Sequence, residues 1–431
     1  MERHPITAAR RWELSLLVMA AAIAALALAL TALGLGQHWS RALRALAPAG
    51  ALVATSLLLD LLGARRDRVL LPLVALLTSL GVVLLYRLPG PQATKQILWV
   101  VIGCAALVGT YALVDRVGAL ANWKYLAGAL ALGLMVATVA FGVERNGARL
   151  WLSFGGRFSF QPSELAKLLM VIFLAGFVAE KSRVLRGVAP GRLGVSVLQA
   201  RYLAPMLLMV ALCLALFVGQ RDLGTAALFF GLFVTMMYLA TGRPVHVVLS
   251  VVLFAVGVVA AYYYFPHVAR RVDLWLNPWA DPTGAGYQPL QGLFALAEGG
   301  VTGAGPGLLP ASDLPAAGTD LIFAVLGQDL GLAGAVALLL AYGLLIWQGC
   351  RLAWQARHAF DGLLAAGITA MFALQVLLIV GGVLRLIPLT GLPLPFVGYG
   401  GTSMLVNFIA LGLLLTVSRE SAPSRERTGS A

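Results

Sequence analysis

Residues 245–264 read VHVVLSVVLFAVGVVAAYYY, with no Asp, Glu, Lys or Arg among them. A helix rising about 1.5 Å per residue crosses a hydrocarbon layer of about 30 Å in a run of this length. The apolar residues are continuous and do not alternate, which argues against a barrel strand. Similar runs fall at roughly 14–35, 46–63, 69–87, 95–114, 125–143, 163–180, 203–219, 223–240, 321–348, 361–382 and 404–418. With 245–264 they make about twelve transmembrane helices, so the chain reads as an all-α integral membrane protein, a polytopic helical bundle. The first run, about Glu13 to Leu35, is too long for a signal peptide and ends in no small-residue cleavage site, so it reads as the first span.

Of the 431 residues, 60% are hydrophobic and 11% charged, which excludes an ordinary soluble domain. A net charge of +13 would suggest nucleic acid in a soluble chain. Here Lys and Arg in the loops fix orientation, and no nucleic-acid partner is expected. The N-terminus is placed in the cytoplasm, with Arg10, Arg11, Arg65, Arg66, Arg68, Lys181, Arg183, Arg243, Arg351 and Arg357 on the same side. Arg145, Arg149 and Arg157 run against that bias and need another explanation. Cys104, Cys213 and Cys350 lie in or beside apolar runs with no metal spacing and read as core. The polar residues 419–431 read as a disordered cytoplasmic tail.

One long segment cannot span a membrane. Tyr264–Phe323 reads YFPHVARRVDLWLNPWADPTGAGYQPLQGLFALAEGGVTGAGPGLLPASDLPAAGTDLIF, rich in Pro and Gly, with carboxylates at Asp273, Asp281, Glu298, Asp313 and Asp320. A long structureless insertion in a compact protein is usually functional. Residues 265–320 are therefore expected to form an extracytoplasmic loop that carries the chemistry.

Four polar groups interrupt the apolar pattern. In ERNGARLWLSFGGRFSFQPSELAK, residues 144–167, Pro162 suits a first helical turn, and Glu164 and Lys167 share one face. They form a self-satisfied buried ion pair, or Lys167 joins Arg149 and Arg157 in a basic patch at the outer surface that suits a phosphate or pyrophosphate. In GQRDLGTA, 219–226, Asp222 caps the next helix, or Gln220 and Asp222 line a cavity. In Thr319-Asp320, ahead of LIFAVLGQDLGLAG, Asp320 is an N-cap or a desolvated general base. Further on, Asp329 needs a partner or a proton. In LRLIPLTGLPLPFVGYGGTSMLVNF, 384–408, three prolines and four glycines rule against a continuous helix, so the segment is expected to wall the site. There Thr402 and Ser403 offer hydrogen bonds to a sugar or phosphate, or cap the last helix.

In this order, NGARLW (146–151), FQPSELAK (160–167), QRDLGTA (220–226), NPWADPTGAGYQPLQ (277–291), TDLIFAVLGQDLGLAG (319–334) and PLTGLPLPFVGYGGTS (388–403) resemble the SEDS family of FtsW, RodA and SpoVE. The resemblance covers about residues 125–418, the core; residues 1–124 hold the remaining N-terminal helices. Members commonly have ten spans, so one N-terminal pair is extra.

The resemblance implies a peptidoglycan glycosyltransferase that polymerises lipid II on the outer face of the bacterial cytoplasmic membrane, in division or elongation. It implies Asp320 as the catalytic carboxylate. Substrate contacts are expected from Arg149, Arg157, Glu164, Lys167, Gln220, Asp222, Asp281, Gln288, Gln291, Thr402 and Ser403. Expected partners are lipid II, membrane lipid, a class B penicillin-binding protein and other division or elongation proteins. A divalent cation (Mg or Mn) is the one cofactor considered. The donor is already activated as a pyrophosphate, so no ATP is required.

The chain departs from the family pattern at Arg221 (commonly Pro), at Ala316 and Gly318 (commonly Glu and His) and at Gln328-Asp329 (commonly a Glu pair). A lipid II flippase and a non-catalytic scaffold are the rival readings.

Overall fold

A computed structural model describes residues 5–36, 43–63, 66–114, 116–145, 148–155, 158–187, 197–309 and 314–421. Arg157, Asp313 and most of the expected tail lie outside them. Helices α1 (Pro5–Gly34), α2 (Ala47–Leu61), α3 (Leu70–Arg87), α4 (Gln92–Leu113) and α5 (Lys124–Phe141) come first. Strands β1 (Val143–Arg145), β2 (Ala148–Phe154) and β3 (Phe158–Phe160) follow, then α6 (Pro162–Gly187), α7 (Val197–Gly219), α8 (Leu223–Thr241) and α9 (Pro244–Tyr264). Two helices, α10 (Pro266–Leu276) and α11 (Tyr287–Gly299), precede α12 (Ile322–Gln355), α13 (Ala359–Val383) and α14 (Gly401–Ser421).

Among the described residues, eleven helices are long and apolar enough to cross a membrane, and Ala204–Gly219 of α7 is a shorter apolar stretch. Each falls on one of the runs read from the sequence. The chain is a polytopic α-helical membrane protein. The bundle is centred on α6, whose apolar window is 83% buried, whereas that of α9 is 6% buried. α14 packs along α4, α5 along α6, α12 along α13 and α1 along α3.

Residues 265–320 are not structureless. VARRVDLWL has helical spacing, and Pro266 starts α10 where its missing N–H costs nothing. Asp281 Oδ2 accepts the Ala285 amide at 2.8 Å and turns the chain toward α11. Pro and Gly density hid two helices. Residues 143–145, 148–154 and 158–160 likewise form a small antiparallel sheet in the order β1-β2-β3, built from aromatic and aliphatic residues with strand propensity.

The 384–400 segment is non-helical and carries buried Leu392, Leu394, Phe396 and Val397. Its carbonyls are matched one by one: the Tyr342 hydroxyl donates to Pro395 O at 2.6 Å, Gln375 Nε2 to Pro393 O at 2.7 Å and Gln96 Nε2 to Gly398 O at 3.0 Å. Irregular backbone at membrane depth survives only with such partners.

At the other end of the bundle, Arg66 is buried against Glu13 at 2.9 Å and Asp60 at 2.8 Å. Arg68 Nη1 reaches Glu13 and Asp60 at 2.6 Å each. Two of the basic residues read as orientation signals therefore tie α1 and α2 to the start of α3.

Candidate active site

Asp320 is presented by a turn. Ala316 has a left-handed φ of 51°, and its carbonyl accepts the Thr319 and Leu321 amides at 3.0 and 3.3 Å and the Thr319 hydroxyl at 3.2 Å. The 384–400 segment fastens this turn, with Tyr399 N donating to Gly318 O at 2.7 Å. The partly exposed carboxylate faces a cavity of ≈180 Å³ shared with Arg271, Trp275, Gln288, Arg385 and Leu389.

Each wall has a local cause. Arg271, Leu274 and Trp275 share one face of α10 by i, i+3, i+4 spacing and all line the cavity. Trp275 Nε1 donates to Arg385 O at 2.9 Å, and Arg385 answers through Nε to Trp275 O at 3.1 Å and Nη2 to Leu276 O at 3.0 Å. Arg271 Nη1 donates to Leu389 O at 3.4 Å. Gln288, in the first turn of α11, brings Nε2 to 3.4 Å from Asp320 Oδ2. Neither guanidinium is paired with a carboxylate among the described residues.

The site is strained and electrostatically divided. The four described non-glycine residues with positive φ are Arg221, Ala316, Arg385 and Phe396. Each costs about 1–3 kcal/mol, a cost that gathers at functional sites. Ala316 presents Asp320 and Arg385 lines the cavity. Burial pushes the Asp320 carboxyl up, opposed by the Thr319 hydroxyl, the Gln288 amide and the Arg271 charge. One carboxylate facing two guanidinium groups suits a neutral hydroxyl that must lose a proton beside an anion that must be held.

A second group lies beneath, at the starts of α6 and α8. Glu164 and Lys167 are 2.9 Å apart and 1% exposed, and Lys167 Nζ donates to Gln375 Oε1 at 3.3 Å. Asp222 caps α8 by accepting the Thr225 amide at 3.0 Å. Burial pushes its carboxyl up, opposed by Thr225 and Arg271 and reinforced by Glu164. Arg271 thus acts on Asp222 and Asp320 alike.

Of the described residues expected to bind substrate, only Gln288 lines the cavity with Asp320. Of the expected basic patch of Arg149, Arg157 and Lys167, the two described members do not come together. Strand register sets Arg149 opposite Glu144, which it meets at 3.5 Å on an exposed face, whereas Lys167 is buried on Glu164. Arg157 lies outside the described residues. Asp281 serves the turn before α11, and Gln291 sits one turn beyond Gln288, partly buried and off the cavity. Gln220 Nε2 is spent on Met135 O at 3.0 Å. Thr402 Oγ1 accepts the Gln161 amide at 3.2 Å, and Ser403 is buried beside it.

Sequence reasoning missed Arg271, Trp275 and Arg385. The signal was there: both arginines fall in segments that the charge bias reads as the cation-poor side. Asp329, which the sequence left needing a partner, has one in Arg87 of α3 at 2.5 Å.

Among the described residues no group of three or more His, Cys, Asp or Glu side chains could hold a metal ion, and Asp320 is the one carboxylate on the cavity wall.

Fold and cavity define a polytopic membrane protein in which one carboxylate and two guanidinium groups line a shared cavity. Residues 67–423 match the model of the FtsW, RodA and SpoVE cell cycle proteins, and the chain belongs to that family. Helices α1 and α2 precede the match. The peptidoglycan glycosyltransferase RodA of Mycobacterium tuberculosis is 40% identical over 365 residues, covering 82% of this chain and 78% of its own length. Stage V sporulation protein E of Bacillus subtilis is 36% identical over 304 residues, 70% of this chain and 80% of its own length. Among solved structures, a chain of a peptidoglycan synthase complex that coordinates polymerization and crosslinking superposes with a TM-score of 0.69 at 27% identity, over 83% of this chain and 98% of that one. The crystal structure of Thermus thermophilus rod shape determining protein RodA gives 0.56 at 26% identity, over 83% and 98%.

Proposed function

We propose that this chain is a peptidoglycan glycosyltransferase that polymerises lipid II, with Asp320 as general base. The observation that carries the reading is the shared cavity: a carboxylate pushed up by burial on one wall, and two guanidinium groups on the others that form no salt bridge among the described residues. The GlcNAc 4-hydroxyl of the acceptor attacks the anomeric carbon of the donor MurNAc. Asp320 takes the hydroxyl proton as the new C–O bond forms. The bond from the anomeric carbon to pyrophosphate breaks, and undecaprenyl pyrophosphate leaves with the electron pair. Arg271 and Arg385 hold the charge that grows on that leaving group. The donor brings its own activation, so no nucleotide is consumed, and no step is routed through a metal.

The barely covered α9, beside α10, offers the polyprenyl chain an apolar surface. The charge bias of the loops supports a reading with both termini in the cytoplasm and the cavity on the outer face of the bacterial cytoplasmic membrane. A class B penicillin-binding protein is the expected partner, as the likeness to a synthase complex supports. The test is lipid II polymerisation by purified chain with that partner, its transpeptidase inactivated. Glycan strands from wild type support the reading, and their absence with partner bound counts against it.

A further inference from the structure

Arg87 ends α3 and lines no part of the cavity, yet it is 6% exposed and holds four groups. Its Nη1 meets Asp329 Oδ1 at 2.5 Å and Val325 O at 3.4 Å; its Nη2 meets Gln328 Oε1 at 2.5 Å and Leu309 O at 2.8 Å. Gln328 passes the contact on, because its Nε2 donates to Glu298 Oε2 at 2.6 Å. Glu298 lies in the last turn of α11, and Gln288 in the first turn of the same helix touches Asp320.

The segment after α11 is fastened to the same place. α12 is broken at Gly331, with φ 64° and ψ −164°, a conformation open only to glycine. Residues 299–307 lie across the break: Ala304 N donates to Gln328 O at 2.9 Å, Gly305 N to Asp329 O at 3.1 Å, and Leu332 N to Gly300 O at 2.9 Å. Gly307 N donates to Asp329 Oδ1 at 3.2 Å. These are the carbonyls and amides that an unbroken helix would have paired internally. Gln328 and Asp329, departures from the family pattern, are thus the two side chains that Arg87 holds.

We propose that Arg87 is a positioning residue for the transfer reaction: through Gln328 and Glu298 it fixes the far end of α11, so that Gln288 at the near end meets Asp320. α11 is a single helix of thirteen residues, and displacements of about 1 Å at a reacting centre can cost about 10²-fold in rate. The inference rests on the glycosyltransferase reading.

The test uses the full chain with its class B partner and lipid II. Glu298 is exposed, so Glu298→Ala spares the fold where Arg87→Met could disturb it. Both variants are expected to lower kcat by about 10-fold or more with KM within about twofold, the mark of an interaction realised in the transition state. Arg87→Lys, which loses the fork but keeps the charge, is expected to recover only part. The decisive arm is a double-mutant cycle: on a Gln288→Leu background, Glu298→Ala is expected to have little further effect, because the two act in series. Multiplying effects, or a wild-type kcat in Glu298→Ala, would overturn the proposal. A readout without activity separates this failure from that of the glycosyltransferase reading. A Gln288→Cys, Asp320→Cys pair, with Cys350 replaced by Ser, is oxidised and the cross-link followed by mass spectrometry. Adding Glu298→Ala is expected to slow closure about 10-fold; an unchanged rate overturns the proposal even if no polymer forms.

Discussion

Gln288 Nε2 lies 3.4 Å from Asp320 Oδ2, joining the first turn of α11 to a turn thirty-two residues further along the chain. That bond favours the ionised carboxylate, whereas burial favours the protonated one. A general base works only after losing its proton, so the acid limb of the pH–rate profile reports Asp320. Gln288→Leu removes a stabiliser of the charged form and is expected to move that limb to higher pH. A profile unmoved, or moved to lower pH, counts against the assignment.

The same carboxylate should cost stability. Its folded pKa is raised above the ordinary 3.8. Its contribution is therefore fully present below that value and is lost as pH rises through the folded pKa. Asp320→Asn escapes the loss. The variant is expected to unfold at a higher temperature than wild type at pH 7, with the gap closing toward pH 3–4. Thermal unfolding in detergent across that range is the measurement, and a variant less stable than wild type at pH 7 contradicts the account.

Glu164 and Lys167 are expected to matter to the fold before the chemistry. Removing one partner of a buried pair strands the other charge and costs about 3–5 kcal/mol, whereas replacing both by apolar residues is often near neutral. Glu164→Gln and Lys167→Met should each lower the unfolding midpoint, and Glu164→Leu with Lys167→Met should recover most of it. A double variant as unstable as the sum of the singles shows that the pair is not self-contained.

Arg271 and Arg385 are the residues expected to bear on the leaving group. Loss of one such donor typically costs about 10²–10³ in kcat. Arg271→Ala and Arg385→Lys should fall in that range, because Lys cannot hold the Trp275 and Leu276 carbonyls and the substrate at once. Steady-state polymerisation rates at saturating lipid II test this, and a change confined to KM argues for ground-state binding alone.

The spans were legible because period and length speak plainly in runs such as 245–264. Asp320 stood out by its place ahead of an apolar run, but position alone left it an N-cap or a general base, and only the family resemblance singled it out as the carboxylate. α10 and α11 were not, since their Pro and Gly content imitates a loop. Nor was the basic wall. Arg149 lies near Glu164 in sequence, but strand register turns it away, while Arg385 reaches the cavity through a left-handed turn, with φ 58°, that no local pattern announces. The partner of Asp329 stands on α3, more than two hundred residues earlier, and such pairings are settled only by packing.

The central claim is that Asp320 takes the proton in glycosyl transfer. The direct measurement compares wild type with Asp320→Asn at equal folded amounts, each with the transpeptidase-inactive partner and lipid II, and follows glycan strands on a gel. The expected result is polymer from wild type and a loss of about 10²–10⁴-fold in the variant, the range of general base catalysis. Polymer at wild-type rate from Asp320→Asn contradicts the account and moves the search for the base to Asp222.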